Sequence, residues 1–262
     1  MIAYPNINPI AVDLGFISVH WYGVSYVVGI SVAWLLLRYR AQYFQVSLDN
    51  EQIADLVFFV VLGIIIGGRL GSVVFYNFDY YLGHPLEIFF IHKGGMSFHG
   101  GLIGVIFSVW FFSYKKNISF FRISDFIAPV IPIGLGCGRI GNFINGELWG
   151  SPSNLPWAMI FPDPAAGGIP RHPSQLYEAF FEGLVLFIIL WWFSRIPRPV
   201  KATSGLFLIF YGLFRFLVEF VRIPDQHIGY IAYNWLTMGQ LLTIPMIIFG
   251  IIFLRMAYQD EK

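Results

Sequence analysis

The chain has 262 residues and a formal net charge of +1; 57% of its residues are hydrophobic and only 12% are charged. A soluble domain carries about 25% charged residues, so one of this size could not hide so much apolar surface. The small net charge creates no basic field that would attract nucleic acid. The 8 Trp, 14 Tyr and 28 Phe residues suit the interfacial belts of a bilayer protein. The composition therefore predicts an integral membrane protein.

Hydropathy along the chain predicts an all-α membrane protein with about seven transmembrane helices. A spanning helix needs about 20 mostly apolar residues, and the segments with this pattern are 15–37, 53–76, 98–114, 121–138, 177–194, 203–221 and 238–256. The longest polar stretches, about 77–97 and 139–176, are too short to form a core of their own. Residues 1–262 are therefore predicted to form a single polytopic domain. The N-terminus lacks the features of a cleaved secretory signal, so the first apolar segment is expected to be retained.

The distribution of Lys and Arg predicts the orientation of the chain in the membrane. Alternate connections, which the positive-inside rule assigns to the cytoplasm, carry ten of the sixteen basic residues: Arg38, Arg40, Lys115, Lys116, Arg122, Arg195, Arg198, Lys201, Arg255 and Lys262. The opposite loops hold Lys93, Arg139, Arg171 and Arg222. With seven spans, the N-terminus is predicted on the periplasmic side and the C-terminus in the cytoplasm.

Polar residues inside the predicted spans are concentrated in the outer halves of those spans. Placing an Arg at a helix centre costs about 2.5–3.5 kcal/mol on insertion scales, so these side chains should face protein rather than lipid. The residues concerned are His20, Tyr22, Arg69, His99, Glu178, Glu182, Arg215 and Glu219. Their convergence predicts a site that lies toward the outer leaflet and opens outward or sideways into lipid.

The stretch from Gly94 to Gly104 contains five glycines and His99. Glycines let the backbone approach a ligand closely, and the start of a helix offers free N–H groups to an anion. A histidine such as His99 can act as a general base near neutral pH. The structural alternative is a glycine-packed helix interface, at Gly100 and its neighbours, in which His99 is only a hydrogen-bonding residue.

A second polar stretch, Gly138–Gly150, begins where span four is predicted to leave the membrane. Arg139 lies at this edge, where a guanidinium can bind a phosphate through two hydrogen bonds. The alternative is an interfacial arginine that extends to water, which is common at helix ends. The neighbouring Asn142, Asn145 and Glu147 favour a functional arginine over one that merely extends to water.

A third stretch places Arg215, Glu219 and Arg222 on one helix face, at spacings of four and three residues. Two interpretations are open for this stretch, a buried Arg215–Glu219 pair that fixes helix packing and direct contact with a substrate. Both can hold together.

The remaining polar residues give weaker signals. His172 suits a helix cap or loop anchor as well as a ligand, and Arg69 is predicted to pair with a carboxylate such as Glu178. Cys137, the single cysteine, lies in an apolar glycine-rich run that favours a packing role over a catalytic thiol. No metal site is predicted, because His99, His172 and Glu147 lack a recognised ligand spacing.

Taken together, these segments resemble the prolipoprotein diacylglyceryl transferase family of bacterial membranes. The resemblance is most specific at the Asn142–Gly150 run and at the glycine-flanked His99, and it leaves the loop from about 151 to 170 unmatched. The matching segments are His20–Gly23, Gly67–Arg69, Gly94–Gly104, Gly138–Gly150, His172–Glu178, Tyr211–Arg215 and the continuation to Pro224 and Asp225.

The resemblance implies an enzyme of the bacterial inner membrane that carries out the first step of lipoprotein maturation. It would transfer the diacylglyceryl group from phosphatidylglycerol to the lipobox cysteine at the signal peptide of a preprolipoprotein, forming a thioether and releasing glycerol phosphate. No metal or organic cofactor is expected, because phosphate is already a fair leaving group. The residues implied as catalytic are His99, Tyr22 and Arg215, and those implied in substrate binding are Arg139, Asn142, Glu147, Gly150, Gly100 and Glu219.

The chemistry suggests how these residues would divide the work. A thiol has a pKa of about 8.5 and needs a base to become the attacking thiolate, so His99 is the first candidate. Tyr22 is the alternative base or the hydrogen-bond partner of His99. Arg139 and Arg215 would stabilise the negative charge on the departing phosphate. A transporter, which needs polar groups in both leaflets, and a lipid or signal-peptide receptor, which needs no base, are the alternative functions.

Overall fold

The computed structural model describes residues 2–15, 18–43, 46, 48–90, 94–224 and 229–259. Lys93, Asp225 and Lys262 lie outside these ranges. The described chain is mostly helical. Its longer helices are α1 (Trp21–Ala41), α2 (Asn50–Tyr76), α4 (Phe98–Lys116), α6 (Ile131–Ile144), α9 (Ala202–Glu219) and α10 (Met238–Gln259), and its shorter ones are α3 (Phe78–Gly83), α5 (Phe120–Ile127), α7 (Ser174–Glu178) and α8 (Leu186–Phe193).

Two small antiparallel hairpins accompany the helices. The first pairs β1 (Ile10–Asp13) with β2 (Ser18–His20), directly before α1. The second pairs β3 (Tyr230–Ala232) with β4 (Leu236–Thr237), directly before α10. Short 3-10 helices occur at Pro85–Phe89 and Pro164–Ala166. The segment Ala179–Val185, between α7 and α8, is a π-helix, so Ser174–Phe193 forms one continuous helical rod with a widened turn.

The helices identify a multi-pass membrane protein. Among the described residues, five helices are long and apolar enough to cross a membrane: α1, α2, the rod Ser174–Phe193, α9 and α10. The pair α5 and α6 adds a sixth span if it crosses once, with a bend of 50° between its halves. The remaining predicted span, 98–114, coincides with α4, which ends in Lys115 and Lys116.

The chain divides into two compact units. The first unit combines Met1–Leu37 with Asp125–Lys262, and the second comprises Arg38–Ser124. The single domain over residues 1–262 stays a prediction.

In the second unit, α2 and α4 pack through glycines. A Cβ atom added to Gly71 would lie 2.6 Å from the Cα of Gly100, and one added to Gly67 would lie 2.9 Å from the Cα of Gly104. Membrane helices associate without a hydrophobic driving force, so small residues that let backbones approach are the usual contact. Helix α2 begins with a capping box in which Asp49 and Gln52 bond to each other's backbone N–H groups.

In the first unit, the same kind of contact recurs between several helices. Gly136 of α6 lies against Gly183 of the π-helical segment, and Gly205 of α9 lies against Gly250 of α10. Helix α1 approaches α6 at Gly29, where an added Cβ would lie 3.2 Å from the Cβ of Cys137. The predicted packing role of Cys137 agrees with this contact.

Candidate active site

The first unit contains a cluster of ion pairs centred on Glu178, whose side chain is 1% exposed. Glu178 is the last residue of α7 and pairs with three guanidinium groups. Its Oε2 contacts Nε of Arg139 from α6 and lies 3.2 Å from Nη1 of Arg215 from α9. Its Oε1 accepts a hydrogen bond from Nη1 of Arg222, just beyond α9. Three helices that are distant in sequence therefore meet at one carboxylate.

Two further carboxylates complete this arginine cluster. Glu219 Oε2 lies 3.0 Å from Arg215 Nη2 and 3.4 Å from Arg222 Nε. Glu219 Oε1 accepts a hydrogen bond of 3.0 Å from Thr237 Oγ1, which ties the end of α9 to the start of α10. Glu182, in the π-helical segment, lies 3.9 Å from Arg215 Nη1. The predicted Arg215–Glu219 pair is thus formed, as part of a larger network.

The turn after α6 holds a second polar group beside the cluster. Asn142 Nδ2 donates to Glu147 Oε1 at 2.8 Å, and Asn145 Nδ2 donates to the same oxygen at 3.2 Å. Arg139 Nη1 lies 3.5 Å from Asn142 Oδ1, so this group is continuous with the arginine cluster. Gln175 Nε2 donates to the backbone carbonyl of Glu147 at 2.5 Å, which connects the turn to α7.

Tyr22 lies in the first turn of α1, which packs on α6. A Cβ atom at Gly141 would lie 2.9 Å from the Tyr22 ring, so glycine permits this approach. The hydroxyl of Tyr22 lies 3.1 Å from that of Tyr26, one helical turn further along, and the two rings are in edge contact. The predicted residue Tyr22 is therefore placed against the helix that carries Arg139 and Asn142.

Gly150 is required by the backbone of the loop that covers this region. It bridges to Arg222, its N–H donates to the carbonyl of His172 at 2.9 Å, and an added Cβ would lie 2.8 Å from the His172 Cβ. Arg171 donates to the carbonyls of Ala166 and Gly150 and lies 4.6 Å from the ring centre of Trp149. The loop of about 151–170, which the sequence left unmatched, is thus held against the cluster by Arg171 and Gly150.

His172 belongs to a hydrogen-bonded chain at the rim of this loop. Its Nδ1 lies 3.2 Å from the hydroxyl of Tyr177, which accepts a hydrogen bond of 2.7 Å from Trp157 Nε1. Burial lowers the pKa of the His172 imidazole below its ordinary value, because a partly buried site disfavours the charged form. These contacts agree with the loop-anchor interpretation of His172.

The second unit holds the other predicted residues, His99 and Gly100. Ser97 caps α4 by accepting from the Gly100 N–H at 3.2 Å, and His99 is exposed in the first turn with its ring against Phe98. Gly100 is buried at the crossing with α2, which agrees with the glycine-interface interpretation of this stretch. Both interpretations of His99 itself remain predictions.

Arg69 differs from its prediction. Its guanidinium donates to the backbone carbonyls of Ile88 at 2.8 Å, Gly94 at 2.5 Å and Glu87 at 2.6 Å. The expected pairing with a carboxylate such as Glu178 is therefore wrong, since Glu178 is occupied by three other arginines. These backbone carbonyls can accept hydrogen bonds from the Arg69 guanidinium because the residues before α4 lie against α2.

Glu178 and Glu182 were expected near the predicted site and Arg222 on the helix face of Arg215, but none of the three was predicted to be a catalytic or substrate-binding residue. Tyr26 was not singled out. The position of Glu178 and Glu182 inside a predicted span could have identified them, because a carboxylate in a membrane segment is expected to have a partner within the protein. Three of these residues lie in the arginine cluster. Among the described residues, no group of three or more His, Cys, Asp or Glu side chains is placed to hold a metal ion.

Comparison with known proteins identifies the family of this chain. The family model described as prolipoprotein diacylglyceryl transferase matches residues 9–256. A phosphatidylglycerol–prolipoprotein diacylglyceryl transferase of Methylococcus capsulatus is 58% identical over 259 residues, covering 98% of each chain. The enzymes of the same name from Pseudomonas paraeruginosa and Pseudomonas entomophila are 55% and 56% identical, and each comparison covers 100% of this chain and 97% of the relative. The chain belongs to the prolipoprotein diacylglyceryl transferase family.

Proposed function

We propose that this protein transfers the diacylglyceryl group of phosphatidylglycerol to the lipobox cysteine of a preprolipoprotein. Its relatives are named for this donor and this class of acceptor. Family membership across nearly the whole chain supports the same activity here.

The observation that carries the proposal is the gathering of three guanidinium groups at Glu178. The side chains of Arg139, Arg215 and Arg222 are 21%, 16% and 11% exposed, whereas that of Glu178 is 1% exposed. The carboxylate is therefore enclosed, whereas each arginine side chain keeps part of its surface accessible. Such a cluster, in a low-dielectric setting, is suited to bind and stabilise an anionic phosphate.

Besides phosphate binding, the reaction needs an attacking thiolate and a base that accepts the thiol proton. The thiolate sulfur attacks the glycerol carbon that bears the phosphate, a C–S bond forms, and the C–O bond to phosphate breaks. The electron pair stays on the phosphate oxygen, and the thiol proton passes to a base. In this scheme Arg139 and Arg215 stabilise the leaving phosphate, His99 is the first candidate base, and Tyr22 is the alternative or the partner of His99.

The remaining predicted residues have supporting roles in the proposal. Asn142 and Glu147, joined by a hydrogen bond, orient the polar turn beside Arg139. Glu219 holds Arg215 and Arg222. Gly150 allows its own backbone to pair with the backbone of Arg222. Gly100 permits the close approach of α4 to α2.

The proposal includes an orientation in the membrane. Seven spans, with α4 and the bent α5–α6 pair each crossing once, place the N-terminus in the periplasm and the C-terminus in the cytoplasm of a bacterial inner membrane. The active site then lies toward the outer leaflet, where a signal peptide with its lipobox cysteine would reach it from the bilayer. The excess of basic residues in alternate connections supports this orientation.

The first test is a transfer assay with purified protein in detergent, phosphatidylglycerol and a lipobox peptide. We expect the peptide to gain the mass of one diacylglyceryl group and glycerol phosphate to appear in equal amount. Arg139→Ala should lower the rate by on the order of 10²-fold or more, because one phosphate ligand is lost. The variant should still fold, since Glu178 keeps Arg215 and Arg222 as partners.

Arg195→Ala is the matched control for the loss of one arginine. Arg195 is exposed in the connection after α8, where its guanidinium lies 5.7 Å from the centre of the Trp192 ring. This variant should retain the rate of the unaltered protein. A protein that binds phosphatidylglycerol but forms no adduct would contradict the proposed transfer and favour a lipid receptor.

A further inference from the structure

The buried side of the arginine cluster contains a carboxylate to which the reaction scheme gives no role. Glu182 lies in the π-helical segment, and its side chain is 1% exposed. Its Oε1 is 3.9 Å from Arg215 Nη1, which is beyond hydrogen-bonding distance. Neither of its oxygens has a hydrogen-bond partner in the described part of the chain.

Glu182 differs in this respect from the two neighbouring carboxylates. Glu178 Oε1 accepts a hydrogen bond from Arg222, and Glu219 Oε1 accepts one from Thr237. The second oxygen of each has no hydrogen-bond partner in the described part of the chain, but it forms a close ion pair with Arg215, at 3.2 Å for Glu178 Oε2 and 3.0 Å for Glu219 Oε2. The corresponding contact of Glu182 is longer, at 3.9 Å, and neither of its oxygens is anchored by a hydrogen bond, so its effect on Arg215 is one of charge.

When ionised, Glu182 also balances the charge of the cluster. Arg139, Arg215 and Arg222 are three cations, and the ionised carboxylates of Glu178, Glu182 and Glu219 are three anions. Replacing an ionised Glu182 by a neutral side chain leaves one net positive charge among these six residues, close to Arg215. Burying a carboxylate that forms no hydrogen bond is unfavourable, so packing alone gives no reason for a glutamate at this position.

We propose that Glu182 is a positioning residue that acts through Arg215 and sets how strongly the arginine cluster holds a phosphate. The inference rests on the proposed function. Phosphatidylglycerol carries one phosphate charge, whereas the glycerol phosphate that leaves carries up to two. A cluster with excess positive charge would therefore retain the product more strongly than it favours the donor. Glu182 lowers that retention and allows turnover.

The test compares the unaltered protein with Glu182→Gln, which keeps the size of the side chain and removes its charge. Two quantities are measured near pH 8: the inhibition constant of sn-glycerol 1-phosphate in the transfer assay, and the concentration of the same compound that stabilises the purified protein against thermal unfolding. Both should fall on the order of ten-fold in the variant, because a charge is removed within a few ångströms of Arg215 in a low-dielectric site. The catalytic rate constant should fall as product release slows.

Glu51→Gln is the matched control, since it removes one carboxylate from an exposed position in the first turn of α2. Its values should equal those of the unaltered protein. Unchanged glycerol phosphate affinity in Glu182→Gln overturns the inference. If that variant cannot be recovered folded, Glu182→Met supplies a second neutral side chain of similar length and is judged by the same two outcomes. An unaltered protein without transfer activity would contradict the proposed function instead, while the thermal titration would still decide the role of Glu182.

Discussion

At the scale of single residues, Glu178 accounts for the presence of three arginines among helices that cross a membrane. An arginine without a partner would be strongly disfavoured there, and a buried ion pair is tolerated only when its remaining hydrogen-bonding groups are also satisfied. Sharing one carboxylate among Arg139, Arg215 and Arg222 meets much of this need. The three arginine side chains remain partly exposed, which the proposed binding of a phosphate requires.

The identity of the base belongs to this scale and can be decided by two variants. We expect His99→Gln to lower the transfer rate by about 10²-fold or more at neutral pH, as for loss of a general base. Tyr22→Phe should lower it less, because the Tyr22 hydroxyl already has Tyr26 as a hydrogen-bond partner. Raising the pH toward about 8.5 should partly restore His99→Gln, since the substrate thiol then ionises without help.

The comparison of these two variants also shows what would contradict the assignment. Near-normal turnover in His99→Gln excludes His99 as the base. A larger loss in Tyr22→Phe than in His99→Gln would assign the proton transfer to Tyr22. The thermal unfolding of both variants is measured in parallel, so that a loss of folded protein is separated from a loss of chemistry.

At the scale of elements, glycine spacing determines how closely helices approach. Gly63, Gly67 and Gly71 of α2 face Gly100, Gly104 and Ser108 of α4, which repeats the small-residue spacing found at membrane helix contacts. Two interpretations of Gly94–Gly104 were open from the sequence, a ligand site and a helix interface. The glycines of α4 are observed in a helix interface.

This contact gives a prediction with a neighbouring control. Gly100→Ala should destabilise the protein, because its Cβ would lie 2.7 Å from the Cα of Gly71 and neither backbone can move away easily. Gly101→Ala adds the same methyl group where the nearest atom is a carbonyl oxygen at 3.7 Å, an ordinary contact. The apparent melting temperature in detergent should therefore fall for Gly100→Ala and stay close to the unaltered value for Gly101→Ala. Equal melting temperatures would show that the crossing is not tightly packed.

Hydropathy predicted the positions of most helices, but not where they break. Span one was expected from residue 15, yet α1 begins at Trp21, because residues 18–20 pair with β1 in a hairpin that apolar content alone does not reveal. Span four was expected as one segment over 121–138. Pro129 and Pro132 interrupt it, since proline cannot complete the helical hydrogen bonds, and the chain resumes as α6 to Ile144. Arg139 and Asn142 consequently lie within a helix rather than at its exit.

At the scale of the whole molecule, part of the active site was predictable and its centre was not. Arg139, Arg215 and Glu219 could be singled out from the sequence because they are charged residues within or at the edge of apolar segments, where a charge is costly. Which carboxylate they share depends on how α6, α7 and α9 meet, and no spacing in the sequence encodes that meeting. Glu178 was therefore expected to pair with Arg69, whereas it pairs with three arginines of its own unit.

The orientation of the whole molecule can be tested by labelling single cysteines. In a Cys137→Ala background, Asn154→Cys and Pro197→Cys introduce thiols at exposed positions, after α6 and between α8 and α9. A membrane-impermeant maleimide applied to spheroplasts should label the thiol at residue 154 and should reach that at residue 197 only after the membrane is permeabilised. Labelling of both thiols, or of residue 197 alone, before permeabilisation would contradict the proposed orientation.

The π-helical turn has a consequence for how this rod could change in the course of evolution. A π-turn accommodates about one residue more than an α-turn, so Ala179–Val185 has the character of a single-residue insertion within an otherwise regular helix. Deleting one residue there would let the widened turn return to a regular α-turn, so the helix on either side would keep nearly the same facing. Leu186 and Leu190 would stay against Tyr211, and Glu178 would stay among the arginines. Deleting one residue from the regular helix α8 would instead rotate the residues beyond it by about 100°. The rod is therefore expected to tolerate the loss of one residue within Ala179–Val185 better than within α8.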